Sequence, residues 1–149
     1  MYLFSFIGNT DLAAAGLIEG CEEPEGGPLA RALASGIAPW CGATLLDDRP
    51  DPNPARDFVA WLRRRIGGVP LRLFRCPVRH PADFDDVWTA ASAVVLASGT
   101  PASERAYLAT PGTVVMGMAW LHLALQPATR GRVLTAHPGR PCRWLPVTP

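Results

Sequence analysis

Along the chain, short apolar runs alternate with stretches of helical periodicity. Residues 2–7, Tyr2-Leu3-Phe4-Ser5-Phe6-Ile7, are an aromatic and aliphatic run, the pattern of a central strand buried on both faces of a parallel sheet. Residues 43–46, Ala43-Thr44-Leu45-Leu46, read as a second strand. Residues 71–78 alternate Leu with Arg before Cys76, which predicts a partly exposed third strand nearer an edge. Tyr107-Leu108-Ala109 and residues 132–136 supply a fourth and a fifth. Between them lie Ala-rich helical material from Asp11, a short amphipathic helix over residues 28–37 (Leu29, Leu33, Ile37) and a helix over 54–66 capped by Asn53, with Phe58, Leu62 and Ile66 on one face. A helix beginning at Pro81 or Asp83 runs to about Ala97, and the last spans residues 111–126.

This alternation predicts an α/β domain of three layers with a mainly parallel sheet of about five strands. Polar loops should gather along one sheet edge. The acidic, Gly-rich stretch CEEPEGG that precedes Pro28 reads as an exposed loop. One domain is expected over residues 1–137, followed by a Pro-rich segment, 138–149, that is an edge strand or a linker.

The last helix stands apart. From Val114 to Leu125 its one polar side chain is His122, and it is far shorter than the roughly 20 residues that cross a bilayer. A helix on a sheet ordinarily keeps a polar outer stripe, so this one predicts burial on both sides and a homodimer interface.

Composition narrows the function. The chain has 149 residues, 48% of them hydrophobic and 18% charged, which fits a folded domain rather than a disordered one. A net charge of +1 argues against a general nucleic-acid binder driven by backbone electrostatics, yet leaves room for a local basic pocket. All 14 basic residues are Arg, so lysine-dependent chemistry such as a Schiff base is excluded. The 4 cysteines are scattered, with no CxxC pair and no zinc-finger histidines. They read as reduced, structural thiols of a cytoplasmic protein; no metal site is expected, and residues 2–7 lack the basic flank of a signal peptide. No GxGxxG, P-loop or GxSxG motif occurs, so no cofactor and no serine-hydrolase triad is expected.

Candidate chemistry sits just past strand ends, where open α/β sheets bind ligands. Gly8, Asn9, Thr10 and Asp11 follow the first strand; the alternative is an Asx-type turn. Thr110, Pro111, Gly112 and Thr113 follow the fourth. There Thr110 is placed to cap the helix, Pro111 suits its first position, and Gly112 admits a close approach to the backbone. The amides of such a helix start suit a phosphate, although the same residues can simply begin a helix. Asp47 and Asp48, past the second strand, could touch a ligand hydroxyl or belong to a solvated loop. His80 is a possible phosphate contact or acid–base group, or an unpartnered loop residue. Arg63, Arg64 and Arg65 fit a solvated helix end better than a phosphate patch. Ser98-Gly99-Thr100-Pro101 ends a helix.

Taken together, FIGNTD at the end of the first strand, HPADFDDVWTAAS, and YLATPGTVVMGMAWLHLAL resemble the CRISPR-associated Rossmann-fold (CARF) sensor domains. The resemblance is greatest to the sensor domain of RNA-repair operon activators and runs from Tyr2 to about Ala136. It implies a Rossmann-like homodimer that binds a cyclic oligoadenylate, or an RNA end with a cyclic phosphate, across its two-fold axis. Gly8, Asn9, Thr10, Asp11, Thr110, Pro111, Gly112 and Thr113 would meet the ligand, with Met116 one turn further in. An attached or partner effector would respond, in antiviral defence or RNA repair. Some members cleave their ligand as metal-independent ring nucleases, often with a Lys or a hydroxyl residue near the Gly-Thr turn. Here Val114 follows Thr113 and Lys is absent, so Thr113 and His80 are the remaining catalytic candidates. The readings thus comprise a ligand-sensing dimer, a ring nuclease, and an α/β interaction domain without a nucleotide site.

Overall fold

The structure is a computed structural model, and it describes residues 1–20 and 26–147. Most of the expected acidic loop lies outside the described residues. Six strands form one sheet: β1 (Tyr2–Phe6), β2 (Gly42–Asp47), β3 (Leu71–Arg75), β4 (Arg105–Leu108), β5 (Arg132–Thr135) and β6 (Arg143–Trp144), in the order β3-β2-β1-β4-β5-β6. All pairs are parallel except β5 with β6. The sixth strand exceeds the five expected. It is a two-residue antiparallel edge segment, and the Arg132 guanidinium lies 3.9 Å from the centre of the Trp144 ring.

The helices divide between the two sheet faces. α1 (Asn9–Ala14), α2 (Pro28–Ala34) and α3 (Asn53–Ile66) cover one; α4 (Phe84–Ala97) and α5 (Val114–Leu125) cover the other. Strand β1 shows why its run is apolar on both parities. Leu3 and Ile7 pack beneath α2 and α3, whereas Phe4 and Phe6 pack beneath α4 and α5. Each such burial removes a large apolar side chain from water, a gain of roughly 1.5–3 kcal/mol. On the α5 side Tyr107 stacks on Trp120 at 5.3 Å and 11°, and its hydroxyl donates to the Thr129 carbonyl. Burial, the main cause, pushes the Tyr107 phenol up to about 12. Strand β3 is an edge strand with exposed Arg72, Phe74 and Arg75, in keeping with its alternating pattern.

Helix starts differ from the sequence reading in ways that matter for the site. α5 begins at Val114 rather than Pro111, because Gly112 has φ +87°, a left-handed conformation no helix contains. The cap is therefore Thr113, whose hydroxyl accepts from the Met116 amide at 3.2 Å. Thr110 does not cap this helix; its hydroxyl accepts from the Ala136 amide at 2.8 Å and ties the loop after β4 to the end of β5. α1 begins at Asn9, so the presumed loop after β1 is the first turn of a helix capped by Gly8. α3 includes Asn53, whose amide is accepted by Asp51 at 3.0 Å. Asp83 caps α4 by accepting from the amides of Asp85 and Asp86.

Candidate functional site

β1 and β4 are neighbours, yet the chain leaves them toward opposite faces, to α1 from β1 and to α5 from β4. That divergence is the topological switch point of the sheet, where a crevice opens beyond the strands' carboxyl ends. A cavity of about 300 Å³ lies there. Its walls come from three strand ends: Ile7, Gly8, Asn9 and Thr10 after β1, Asp48 and Arg49 after β2, and Gly112, Thr113 and Met116 after β4. Pro81, ahead of α4, completes it.

The loops after β1 and β4 touch backbone to backbone. Gly8 lies against the amide of Gly112 and the ring of Pro111 with no room for a side chain. Asn9 and Thr10 are exposed at the cavity. Asp11 is turned inward and fully buried, where its carboxylate accepts from the amides of Gly8 at 3.0 Å and Leu29 at 2.9 Å. It braces the turn against α2 rather than lining the cavity. Thr110 and Pro111 also lie outside the lining: one is tied to Ala136, the other is buried behind Gly8.

Around α5, Met116 is buried and its sulfur accepts from the Thr113 amide at 3.4 Å. The Thr113 hydroxyl donates to the Pro81 carbonyl at 3.1 Å and accepts from the Met116 amide, so its one proton and one of its two lone pairs are taken. The amides of Val114 and Val115, in the first turn of α5, have no partner among the described residues. Their direction along the helix axis makes this end of α5 electropositive. His80 is exposed and does not line the cavity, although its carbonyl accepts from the Asp83 amide at 2.8 Å.

Sequence reasoning passed over Arg49. Its side chain is only 20% exposed and reaches across two loops, donating to Asp47 (3.0 Å), to the Ile7 carbonyl (3.0 Å) and to the Asn9 side-chain oxygen (3.0 Å). The available signal was DDR directly after the second strand, an acid–base cluster at the same sheet edge as the two glycine turns. Behind it, Cys76 donates its amide to the Asp47 carbonyl; burial, with a smaller contribution from Asp48, pushes its thiol up to about 11. At neutral pH that thiol is protonated and inert.

Among the described residues no group of His, Cys, Asp and Glu could hold a metal ion, and no helix is long and apolar enough to cross a membrane. No protein-family model and no curated protein matches the chain. Solved structures do match. Csm6 of Enterococcus italicus, bound to cyclic hexa-2′-fluoro-hexa-dAMP, superposes on 92% of this chain with a TM-score of 0.71 at 16% identity. Protein VC1899 of Vibrio cholerae superposes on 97% with a TM-score of 0.65 at 12% identity. The fold is CARF-like. At these identities the likeness concerns the fold, and this chain spans 33% of the length of each of the two proteins. In this CARF-like frame the switch-point cavity lies between the two central strands, and the exposed side of α5 starts at its rim with Val114, 81% exposed.

Proposed function

We propose that this CARF-like domain is a cytoplasmic nucleotide sensor, which binds a cyclic oligoadenylate or an RNA end bearing a cyclic phosphate and acts as a homodimer on an attached or partner effector. The observation that carries this reading is the cavity at the switch point, where Gly8–Thr10 and Gly112–Thr113 converge beside the free amides at the start of α5. A phosphate suits those amides. Asp48, in the same lining, is an acceptor suited to a ribose hydroxyl or an adenine amino group. The similar Csm6 fold with its cyclic hexa-adenylate analogue supports the same class of ligand.

Size supports the dimer. A cavity of about 300 Å³ is at the lower end for small-molecule sites and suits roughly one nucleotide unit. A ring of several nucleotides therefore needs more than one such cavity, and two-fold symmetry is the simplest way to supply it. On α5, Val114, Met118 and Leu125 are 81%, 53% and 40% exposed and follow one another at helical spacing. This stripe begins beside Thr113, so pairing through it sets two cavities next to each other.

The reading favours retention of the ligand over its cleavage, because the Thr113 hydroxyl is already committed to Pro81 and Met116. A test is to incubate the purified protein with cyclic tetra- and hexa-adenylate and with an oligoadenylate ending in a 2′,3′-cyclic phosphate, then to separate bound, free and cleaved species. Intact bound ligand is expected. Linear products would establish a ring nuclease instead, and no binding to any probe would leave an interaction domain without a nucleotide site.

A further inference from the structure

We propose that Arg49 is the phosphate-recognition residue of the cavity and that buried Asp47 is its positioning residue, an inference that rests on reading the cavity as a nucleotide site. Arg49 is the cation among the described lining residues, and it lies just past β2, a third strand end besides those of β1 and β4. A guanidinium presents a rigid planar fork that matches phosphate oxygens. Three contacts hold that fork at the cavity wall: the Asp47 carboxylate, the Ile7 carbonyl and the Asn9 amide oxygen. Nε and one N–H of Nη1 have no partner among the described residues, so donors remain for a ligand.

Asp47 is fully buried and gives the arrangement its direction. Its Oδ1 accepts from both the side chain (3.0 Å) and the amide (3.4 Å) of Arg49, while Oδ2 lies 3.9 Å from Nε of Arg75. Arg75 in turn donates to the Arg49 carbonyl at 2.9 Å, closing the turn from behind. A charge fixed in this way reaches the ligand without losing side-chain freedom at the moment of binding. Arg49 also orients Asn9. Because the amide oxygen of Asn9 faces the guanidinium, its NH₂ group is left as a second donor. Arg49 and Asn9 thus form one unit, in which a phosphate on the guanidinium is felt by the turn that begins α1.

The test compares wild type, Arg49→Gln, Arg49→Lys and Asp47→Asn in equilibrium binding of cyclic tetra-adenylate, cyclic hexa-adenylate and a linear oligoadenylate with a 2′,3′-cyclic phosphate, at two salt concentrations. Arg49→Gln is expected to weaken binding about 10- to 100-fold and to flatten its salt dependence. Arg49→Lys, with the charge but not the fork, is expected to fall between. Asp47→Asn is expected to weaken binding while keeping the salt dependence of wild type, since the cation is still present. A measurement on the unmutated protein guards against misfolding of a variant: the Arg49 Nε–H resonance of ¹⁵N-labelled wild type should shift when ligand is added. Wild-type affinity in Arg49→Gln, or an unmoved Arg49 resonance in a protein that binds ligand, overturns this assignment and leaves the nucleotide reading standing. Failure of the wild type to bind any of the probes overturns both.

Discussion

Gly8 and Gly112 face each other across the switch point so closely that a Cβ built on Gly8 would lie 2.5 Å from the amide nitrogen of Gly112. The obstacle is backbone on a capped turn, which cannot swing aside as a side-chain tip can. Gly8→Ala must therefore push the two loops apart, at a cost of roughly 1–3 kcal/mol. We expect a lower urea midpoint together with weaker nucleotide binding. An alanine variant as stable as wild type would mean that the loops are not in contact.

Gly112 carries a different constraint. Its φ of +87° is one that side-chain-bearing residues rarely adopt, and a Cβ there would also meet the Met116 sulfur. Gly112→Ala is expected to destabilise by roughly 1–2 kcal/mol through the backbone alone. The sulfur can move, so this variant should lose less binding than Gly8→Ala, and side-by-side titrations would check that order.

Asp11 ties the first turn of α1 to the start of α2 through two amide hydrogen bonds. Asp11→Ala removes the acceptor from both buried amides, each worth roughly 1–3 kcal/mol when left unmade. Asp11→Asn keeps one acceptor oxygen and should fall midway. Urea unfolding orders the three proteins; equal midpoints would refute a bracing role.

Met118 is 53% exposed in the outward stripe of α5. Met118→Glu should leave the monomer fold intact by circular dichroism, while light scattering shows a shift from dimer to monomer. Ligand affinity should fall with it if the ligand spans two cavities. A wild type that is already monomeric with and without ligand would sink the dimer reading.

Alkaline pH offers a test that needs no ligand. The Cys76 thiol is raised from 9.0 to about 11 in the folded protein, so the unfolded chain releases that proton first as pH rises. Stability contributed by Cys76 is thus present below about pH 9 and is lost as pH climbs toward about 11. Tyr107, raised from 10.0 to about 12, continues the decline. The chain has no Lys to titrate in the same window. Urea midpoints should fall across it, and Cys76→Ala should flatten the first part of the fall. Under native conditions at neutral pH, iodoacetamide should alkylate exposed Cys41 well before buried Cys76.

Much of the architecture was readable from residue patterns because each strand and helix carries its own periodicity. The run at Tyr2–Phe6 announced a strand buried on both faces, and the Leu-Arg alternation of Leu71–Arg75 announced an edge; for α4 the residues offered Pro81 or Asp83 as the start, and only the structure shows Asp83 as its cap. These signals are local, so the chain by itself was enough for the α/β class and for which loops follow strand ends. Helix starts were less legible: only the left-handed φ of Gly112 moves the start of α5 past Pro111 and passes the cap from Thr110 to Thr113.

The composition of the site depended on contacts between residues far apart in the chain, which no local pattern encodes. Asp11 looks like a loop acid in sequence, but pairing of α1 with α2 turns it inward toward Leu29. Arg49 looks like one arginine among fourteen, and β1 lying beside β2 brings it to Ile7 and Asn9. What the linear chain determined was therefore the set of elements and the sheet edge at which polar residues gather, through periodicity and turn chemistry. Which of those residues line the cavity, and which brace it from behind, was decided by the strand order β3-β2-β1-β4, because that order places three strand ends around one crevice.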